Sequence, residues 1–493
     1  VNAVISEKLN AFSRLLGDNS HEEKSIEAWK YILAAEHHDV TICGLFDLAR
    51  RFIPSSLKDS DYVKTESLKN IASHFAGKNG NSVLAINTNS FAVNDCLRFG
   101  ENKFVYASLP AYTAKVISAD STSGYENNFK WDFESGILKT SNHIIKLTDK
   151  GIEYITNPDG KRIIDNGNNA MFTAHIDGTD CVSIGKRKVE LNDYCGAVAT
   201  YEGEIGSVPF IFEMRFGGQS LSRIDCKTKF EVHNERIGII GDKAGLEKSI
   251  TVNGHKHEGK LCFNMNLCMD KSRKMFRDLP YSISEWDGDI RVAEDYWYEK
   301  DRIIIDKKVS PEESFNSSTQ LNGIYWICLK DDKNSVAVFN KGCMGSDIRG
   351  NHISIPLVYS EEYLCGTKIL DGIYEDEFAI SIDNEQTPHK QALAYAYAPV
   401  VIPLENSNGK LTELKFASLN ANNNVIMTTV YPENSCLLAR FCNYSDEKQN
   451  LTFNCPYGKI IEETDLLGNK IKDSEGRLEF HPWEIKTVKI ELQ

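Results

Sequence analysis

The sequence predicts a mainly β protein with an N-terminal three-helix bundle and multiple β-sandwich domains. Three observations carry this. Apolar residues recur at helical spacing only within residues 1–78. At "GKNGNS", residues 77–82, the period shortens to two and aromatic and β-branched residues take over. A chain of 493 residues is also too long for one core, which implies about two to four domains.

The elements follow in order. In "VNAVISEKLNAFSRLL", Val4, Leu9, Phe12 and Leu16 fall near helical spacing, and Gly17 ends the run. Ser20 and Glu23 have capping-box spacing ahead of "SIEAWKYILAAEHHDV", read as one helix over 26–40. A third helix is expected in "SLKNIASHFAG", with Gly77 at its C-cap. Strands are expected in "VLAINTNSF", "KFVYASLP", "AVATYEG", "VPFIFEMRF", "GIYWICL", "SVAVFNKG" and "QALAYAYAPVVIPL". Turn-rich "SADSTSG" and "LNANNN" suggest boundaries. The expected division is a bundle over 1–80, a small β segment over 81–120, a large sandwich over 121–409 and a C-terminal sandwich over 410–493. In the last, Pro482 should precede the final strand and Trp483 should be mostly buried.

Composition narrows the function. A formal charge of −14 disfavours a nucleic-acid backbone or an anionic membrane surface as partner. No apolar run approaches the ~20 residues that cross a bilayer. Thirteen dispersed cysteines without a Cys-x-x-Cys pair favour buried, reduced thiols and a cytoplasmic setting. The chain opens without Met or a signal-like segment, so either a leader has been removed or the sequence starts in mid-protein. There is no phosphate-binding glycine loop and no Gly-x-Ser-x-Gly elbow.

"AAEHHDV", residues 34–40, places Glu36, His37, His38 and Asp39 side by side. On a helix over 26–40, Ile26, Trp29, Leu33, His37 and Val40 share one stripe, which makes His37 a core histidine. Neighbours on a helix differ by about 100°, so His38 points to a second side with Tyr31 and Ala34. Zinc takes about four ligands, and His38 with Asp39 supplies two at most. Elsewhere, His175 and Asp177 are two apart and would share a strand face, although a polar turn is the better reading. His255 and His257 are spaced alike, in an expected exposed hairpin. No carboxylate pair can be assigned to acid–base work.

A His-His-Asp element late in a helical bundle, ahead of a long β region, resembles glycoside hydrolase family 38, the α-mannosidases of bacterial type. Further segments resemble that family in the same order: "SVLAINTNSFAVNDCLRF", "ASLPAYTAKVI", "NNFKWDFESGILKT", "PHKQALAYAYAP", and the C-terminal "LARFCNYSDEKQNLTFNCPYGKIIEETDLLGNKI". The resemblance implies a galactose-mutarotase-like large sandwich, a metal-dependent retaining mechanism and a mannose-containing oligosaccharide as substrate. It implies that His38 ligates zinc or a similar divalent metal and that Asp39 contacts the sugar. The family's catalytic β/α domain, with its nucleophile and remaining metal ligands, has no counterpart here. No catalytic residue is therefore assigned, and an upstream catalytic domain is the expected partner. A homo-oligomer is compatible with this. The alternatives are a non-catalytic carbohydrate-binding or scaffold protein, and an enzyme with its own site in the large sandwich.

Overall fold

The computed structural model describes residues 1–18, 21–37, 40, 46–77, 81–100, 103–119, 128–193, 195–217, 223–238, 250–252, 255–257, 259–286, 289–292, 305–308, 315, 318–342, 345–360, 369–382, 388–404, 409–419 and 424–493. It is mainly β, as expected, with helices at the N-terminal end and several sheets. The chain forms two compact units. One joins Val1–Tyr125 with Leu393–Gln493, and the other is Glu126–Ala392.

The first unit opens with α1 (Asn2–Leu15), α2 (Glu22–Ala35) and α3 (Phe46–Ser73). α1 is buried continuously from Ile5 to Ser13. Phe12 stacks on Phe416 with ring centroids 4.2 Å apart and meets Tyr112 edge-on. Gly17, at φ 91°, ends α1 as expected, a left-handed position that favours glycine. The capping box from Ser20 does not form. The N-cap of α2 is His21, whose N–H is held by Asn10 Oδ1, and Ser20 lies outside the described residues. α3 is far longer than "SLKNIASHFAG" and stops before Gly77. Its buried stripe is Ser56, Ser60, Val63, Ser67, Leu68 and Ile71, half of it serine. That composition hides it from a search for apolar periodicity. α2 lies antiparallel on α3, with Lys24 paired to Asp59 at 3.1 Å and Tyr31 beside Phe52.

Behind the helices, four antiparallel strands form a small sheet in the order Val400–Leu404, Ser82–Ile86, Thr113–Ser118, Glu413–Lys415. Asn87, fully buried, donates from Nδ2 to the carbonyls of Phe91, Leu109 and Pro110 and so fixes the loop after the second strand. "QALAYAYA" is not a strand. Residues His389–Ala396 form α4, because alanine alternating with larger residues is no polar–apolar alternation and has high helix propensity.

The C-terminal sandwich has a five-stranded sheet in the order Val425–Glu433, Cys436–Asn443, Ile485–Leu492, Gly458–Thr464, Lys470–Asp473. A hairpin of Gln449–Thr452 with Arg477–Phe480 accompanies it. Leu438, Phe441, Leu451, Leu478, Phe480 and Val488 fill its interior. The last strand lies third of five, so both its edges are paired. Pro482 precedes it as expected. Trp483 is only half-buried, because it sits in the turn at φ 58° rather than on the strand.

The second unit contains a five-stranded antiparallel sheet over residues 130–165 and a fourteen-stranded sheet. Strand Thr179–Asn192 joins two layers of the latter. Residues 179–182 pair with Thr173–Ile176, whereas residues 183–192 pair with Gly196–Ile205. The core lies between the layers. Phe172 on one side meets Phe210, Phe212 and Phe230 from the other at 5.1–5.3 Å between ring centroids. Just past the partner switch, Gly185 faces Gly203, and a Cβ on Gly203 would stand 2.1 Å from the Ile184 carbonyl oxygen. No helix among the described residues is long and apolar enough to cross a membrane.

Two outcomes follow from these placements. Gly203→Ala should cost about 2–3 kcal/mol or more, since backbone must move. Gly342→Ala, with nothing within 4 Å of its Cβ, should stay within about 0.5 kcal/mol of the parent in the same denaturant titration. Deleting residues 478–493 removes the central strand of the C-terminal sandwich and should yield an insoluble or partly unfolded protein, read by the loss of a cooperative melt.

Candidate functional site

The candidate site begins where α2 ends. The helix stops at Ala35, short of the expected residue 40, and Glu36 caps it through its N–H to the Ile32 carbonyl. Val40, 4% exposed, donates its N–H to the His37 carbonyl at 2.9 Å. His37 therefore lies beyond the end of α2, and the helical phase used for it does not apply. His38 and Asp39 lie outside the described residues.

The buried face of α2 is opposite to the one expected. Ser25, Ala28 and Ala35 face inward, whereas Ile26 is 46% and Leu33 63% exposed. Small side chains let α2 approach its neighbours closely, and the larger apolar residues are left outside. His37 is exposed, not a core histidine. Trp29 lies at the edge of the seam and donates its indole N–H to Glu7 Oε1 at 2.5 Å. Tyr31 and Ala34 are half-buried.

The other candidates take structural roles. His175 ends strand Phe172–Ile176, and its Nδ1 lies 2.7 Å from Asp180 Oδ1 on the paired strand. Asp177 has left the strand. With φ 47° and Gly178 at φ 87°, it makes a hairpin turn, and its Oδ1 accepts the Arg236 N–H at 3.0 Å. The pair therefore does not share a strand face, and the polar-turn reading holds. His255 and His257 lie on a short strand paired with Ile250–Val252, the expected hairpin; their side chains lie outside the described residues.

No group of three or more His, Cys, Asp or Glu side chains that could hold a metal occurs among the described residues. The described residues do not by themselves fit a zinc-type ion; any such site needs donors from outside them, such as His38 and Asp39.

Several perturbed groups escaped the sequence reading. Burial pushes the Glu7 carboxyl up to about 7, against hydrogen bonds from Thr429 and Trp29. Burial lowers the Lys8 ammonium to about 8. Burial also raises Asp278 to about 6, although its carboxylate accepts the N–H groups of Tyr325 and Trp326. On the large sandwich, Asn264 donates Nδ2–H to Thr173 Oγ1, so its Oδ1 accepts the Ser354 hydroxyl at 2.8 Å. His352 joins through both ring nitrogens, with Nε2 3.0 Å from the Ser354 oxygen and Nδ1 2.8 Å from Asn266 Oδ1. This network is buried. Its only sequence signal is polar residues alternating with apolar ones in "FNMN" and "HISIPL".

A helical bundle, a small sheet, a large folded sheet and a terminal sandwich together make up a fold shared with solved α-mannosidase structures. The chain is similar to an alpha-mannosidase from Enterococcus faecalis V583, with a TM-score of 0.70 and 12% identity over 99% of this chain and 66% of that one. It is similarly close to a protein in the glycosyl hydrolase family 38 from Enterococcus faecalis, with a TM-score of 0.69 and 12% identity over 99% and 68%. It thus spans about two thirds of the length of these proteins. Residues 424–488 match the family described as glycosyl hydrolases family 38 C-terminal beta sandwich domain. No protein of curated function matches the chain by sequence. The resemblance carried by the ordered motifs is borne out: residues 424–488 match the family 38 C-terminal sandwich, and the whole fold is similar to that of solved family 38 proteins.

The face assignment of α2 has a direct check. Ile26→Ser with Leu33→Ser should change the stability of this chain by no more than about 0.5 kcal/mol each. Ala28→Leu, 2% exposed in the parent, should cost about 1–3 kcal/mol in a urea titration.

Proposed function

We propose that this chain is the bundle and β-sandwich portion of a metal-dependent retaining α-mannosidase. The observation that carries the reading is the uncovered stripe on α2. Ile26 and Leu33 occupy one outward face of α2, His37 is exposed just beyond its end, and His38 and Asp39 are the next residues in sequence. An exposed apolar face beside a polar, titratable motif suits a docked domain with a reaction centre at its rim. The docked body is a catalytic domain lying outside this chain. His38 supplies one imidazole nitrogen to a zinc-like ion, and Asp39 binds a hydroxyl of a mannose-containing oligosaccharide. The metal, when bound, would supply Lewis-acid stabilisation and orient the sugar hydroxyls. Retention of configuration needs two carboxyl groups about 5–5.5 Å apart, and both come from the docked domain. Cys181, Cys226, Cys268, Cys328, Cys436 and Cys455 are free thiols, which favours a reducing, cytoplasmic setting.

The test compares this chain with a longer product that includes the docked domain, using an activated α-mannoside with and without zinc. The chain alone should be silent and bind zinc weakly; the longer product should turn over substrate with zinc. His38→Ala should abolish both zinc binding and turnover in it. Asp39→Asn should lower turnover and sugar affinity with zinc retained. Mannoside binding without hydrolysis by the longer product would favour the non-catalytic carbohydrate-binding reading. Turnover by this chain alone that survives His38→Ala but not His175→Ala would move the site into the large sandwich.

A further inference from the structure

We propose that Glu7 is a proton-controlled latch holding the helices of the first unit to the C-terminal sandwich. Its carboxyl lies where three elements meet: α1, α2 and strand Val425–Glu433. Oε1 accepts the Trp29 indole N–H at 2.5 Å, and Oε2 meets Thr429 Oγ1 at 3.0 Å. Glu7 is 8% exposed. The latch is independent of the proposed glycosidase function.

Each neighbouring element carries charged or titratable groups, of which Lys8, Arg440 and Tyr431 interact with the Glu7 carboxyl. On α1 there is Lys8, 3% exposed, whose Nζ lies over the Tyr397 ring at 5.2 Å. α2 contributes Glu22, which accepts the Asn434 N–H at 3.3 Å. α3 contributes Asp61, which accepts Asn2 Nδ2–H at 2.8 Å. Tyr431 and Glu433 lie on the same strand as Thr429, and Arg440 lies on the next. Of these, Lys8 and Arg440 favour the ionised carboxylate, but burial outweighs them and the two hydrogen bonds together.

Both protonation states fit the geometry. The carboxylate accepts from Trp29 and Thr429. The neutral acid keeps Trp29 on its carbonyl oxygen and donates its own O–H to the Thr429 hydroxyl. The difference is a negative charge held away from water, which favours the neutral form. Because the folded-state pKa, about 7, exceeds the ordinary value of 4.5, the stabilisation is complete below that ordinary value and is lost as pH climbs through about 7. Lys8 does not mask this. Its ammonium, lowered to about 8 by burial, stays mostly charged until that pH is passed.

The experiment follows the Trp29 indole N–H in the full chain labelled with ¹⁵N-tryptophan, with Trp29→Phe identifying its resonance. The resonance should shift between about pH 5.5 and 8.5 with a midpoint near 7, whereas the melting temperature should fall from about pH 4.5 to about 7 and then level off. Glu7→Gln should leave the resonance independent of pH. Thr429→Val removes one donor to the carboxylate, so the midpoint should rise. A Trp29 resonance that does not move, one with a midpoint near 4.5, or an unchanged titration in Glu7→Gln would each overturn the latch. Should Glu7→Gln fail to fold, the parent and Thr429→Val midpoints decide the question between them.

Discussion

One strand belongs to two layers, and the large unit depends on it. Thr179–Asn192 changes partner at Ser183, so a single continuous ladder can wrap around its own core. A fourteen-stranded sheet cannot stay open and flat while burying both Phe172 and Phe212. The corner needs close backbone approach, and the cross-strand pair Gly185–Gly203 provides it. The Phe210 ring fills the space that side chains there would have taken. The phenylalanines of the core meet across the layers only because this corner closes.

The outer face of the same unit is ordered by charge. Across neighbouring strands, Arg215 stands opposite Asp225, Glu213 opposite Lys227, and Lys227 in turn opposite Glu377. Such cross-strand opposition keeps a heavily charged face compatible with an extended sheet. Asp225, between Arg215 and Arg223, is held well below the usual carboxylate range by those two guanidinium groups despite its burial. The net negative charge of the chain is therefore not concentrated on this face.

Much of the fold was legible because alternation and turn chemistry are local. "VPFIFEMRF" has the inward Phe210, Phe212, Met214 and Phe216 at every second position, and it is a strand. Legibility failed where burial did not track hydrophobicity. α2 buries serine and alanine and exposes isoleucine and leucine, so an apolar helical stripe pointed outward. α3 buries three serines on its inner stripe, and three quarters of it went unread. α4 was misread because its tyrosine and the β-branched residues after it counted towards a strand, whereas its alanines favour a helix. At the candidate site, "HIDG" carried its own answer in the Asp-Gly dipeptide, a turn signal that outranks two-residue spacing. Glu7 left no mark in the sequence, since its burial comes from a strand 422 residues away.

That separation sets the order in which the protein can assemble. The second unit is one uninterrupted stretch of chain, whereas the first is made from both ends of the sequence. At translation rates of ~5–20 residues per second, roughly 20–80 s pass between the synthesis of Glu7 and that of Thr429. Throughout that interval α1, which buries Glu7 and Lys8 among nine consecutive inward residues in the finished fold, has no sandwich to lie against. The large unit can close first on the ribosome; the helices must wait for the strands of residues 425–492, exposed to chaperones and to one another on neighbouring nascent chains.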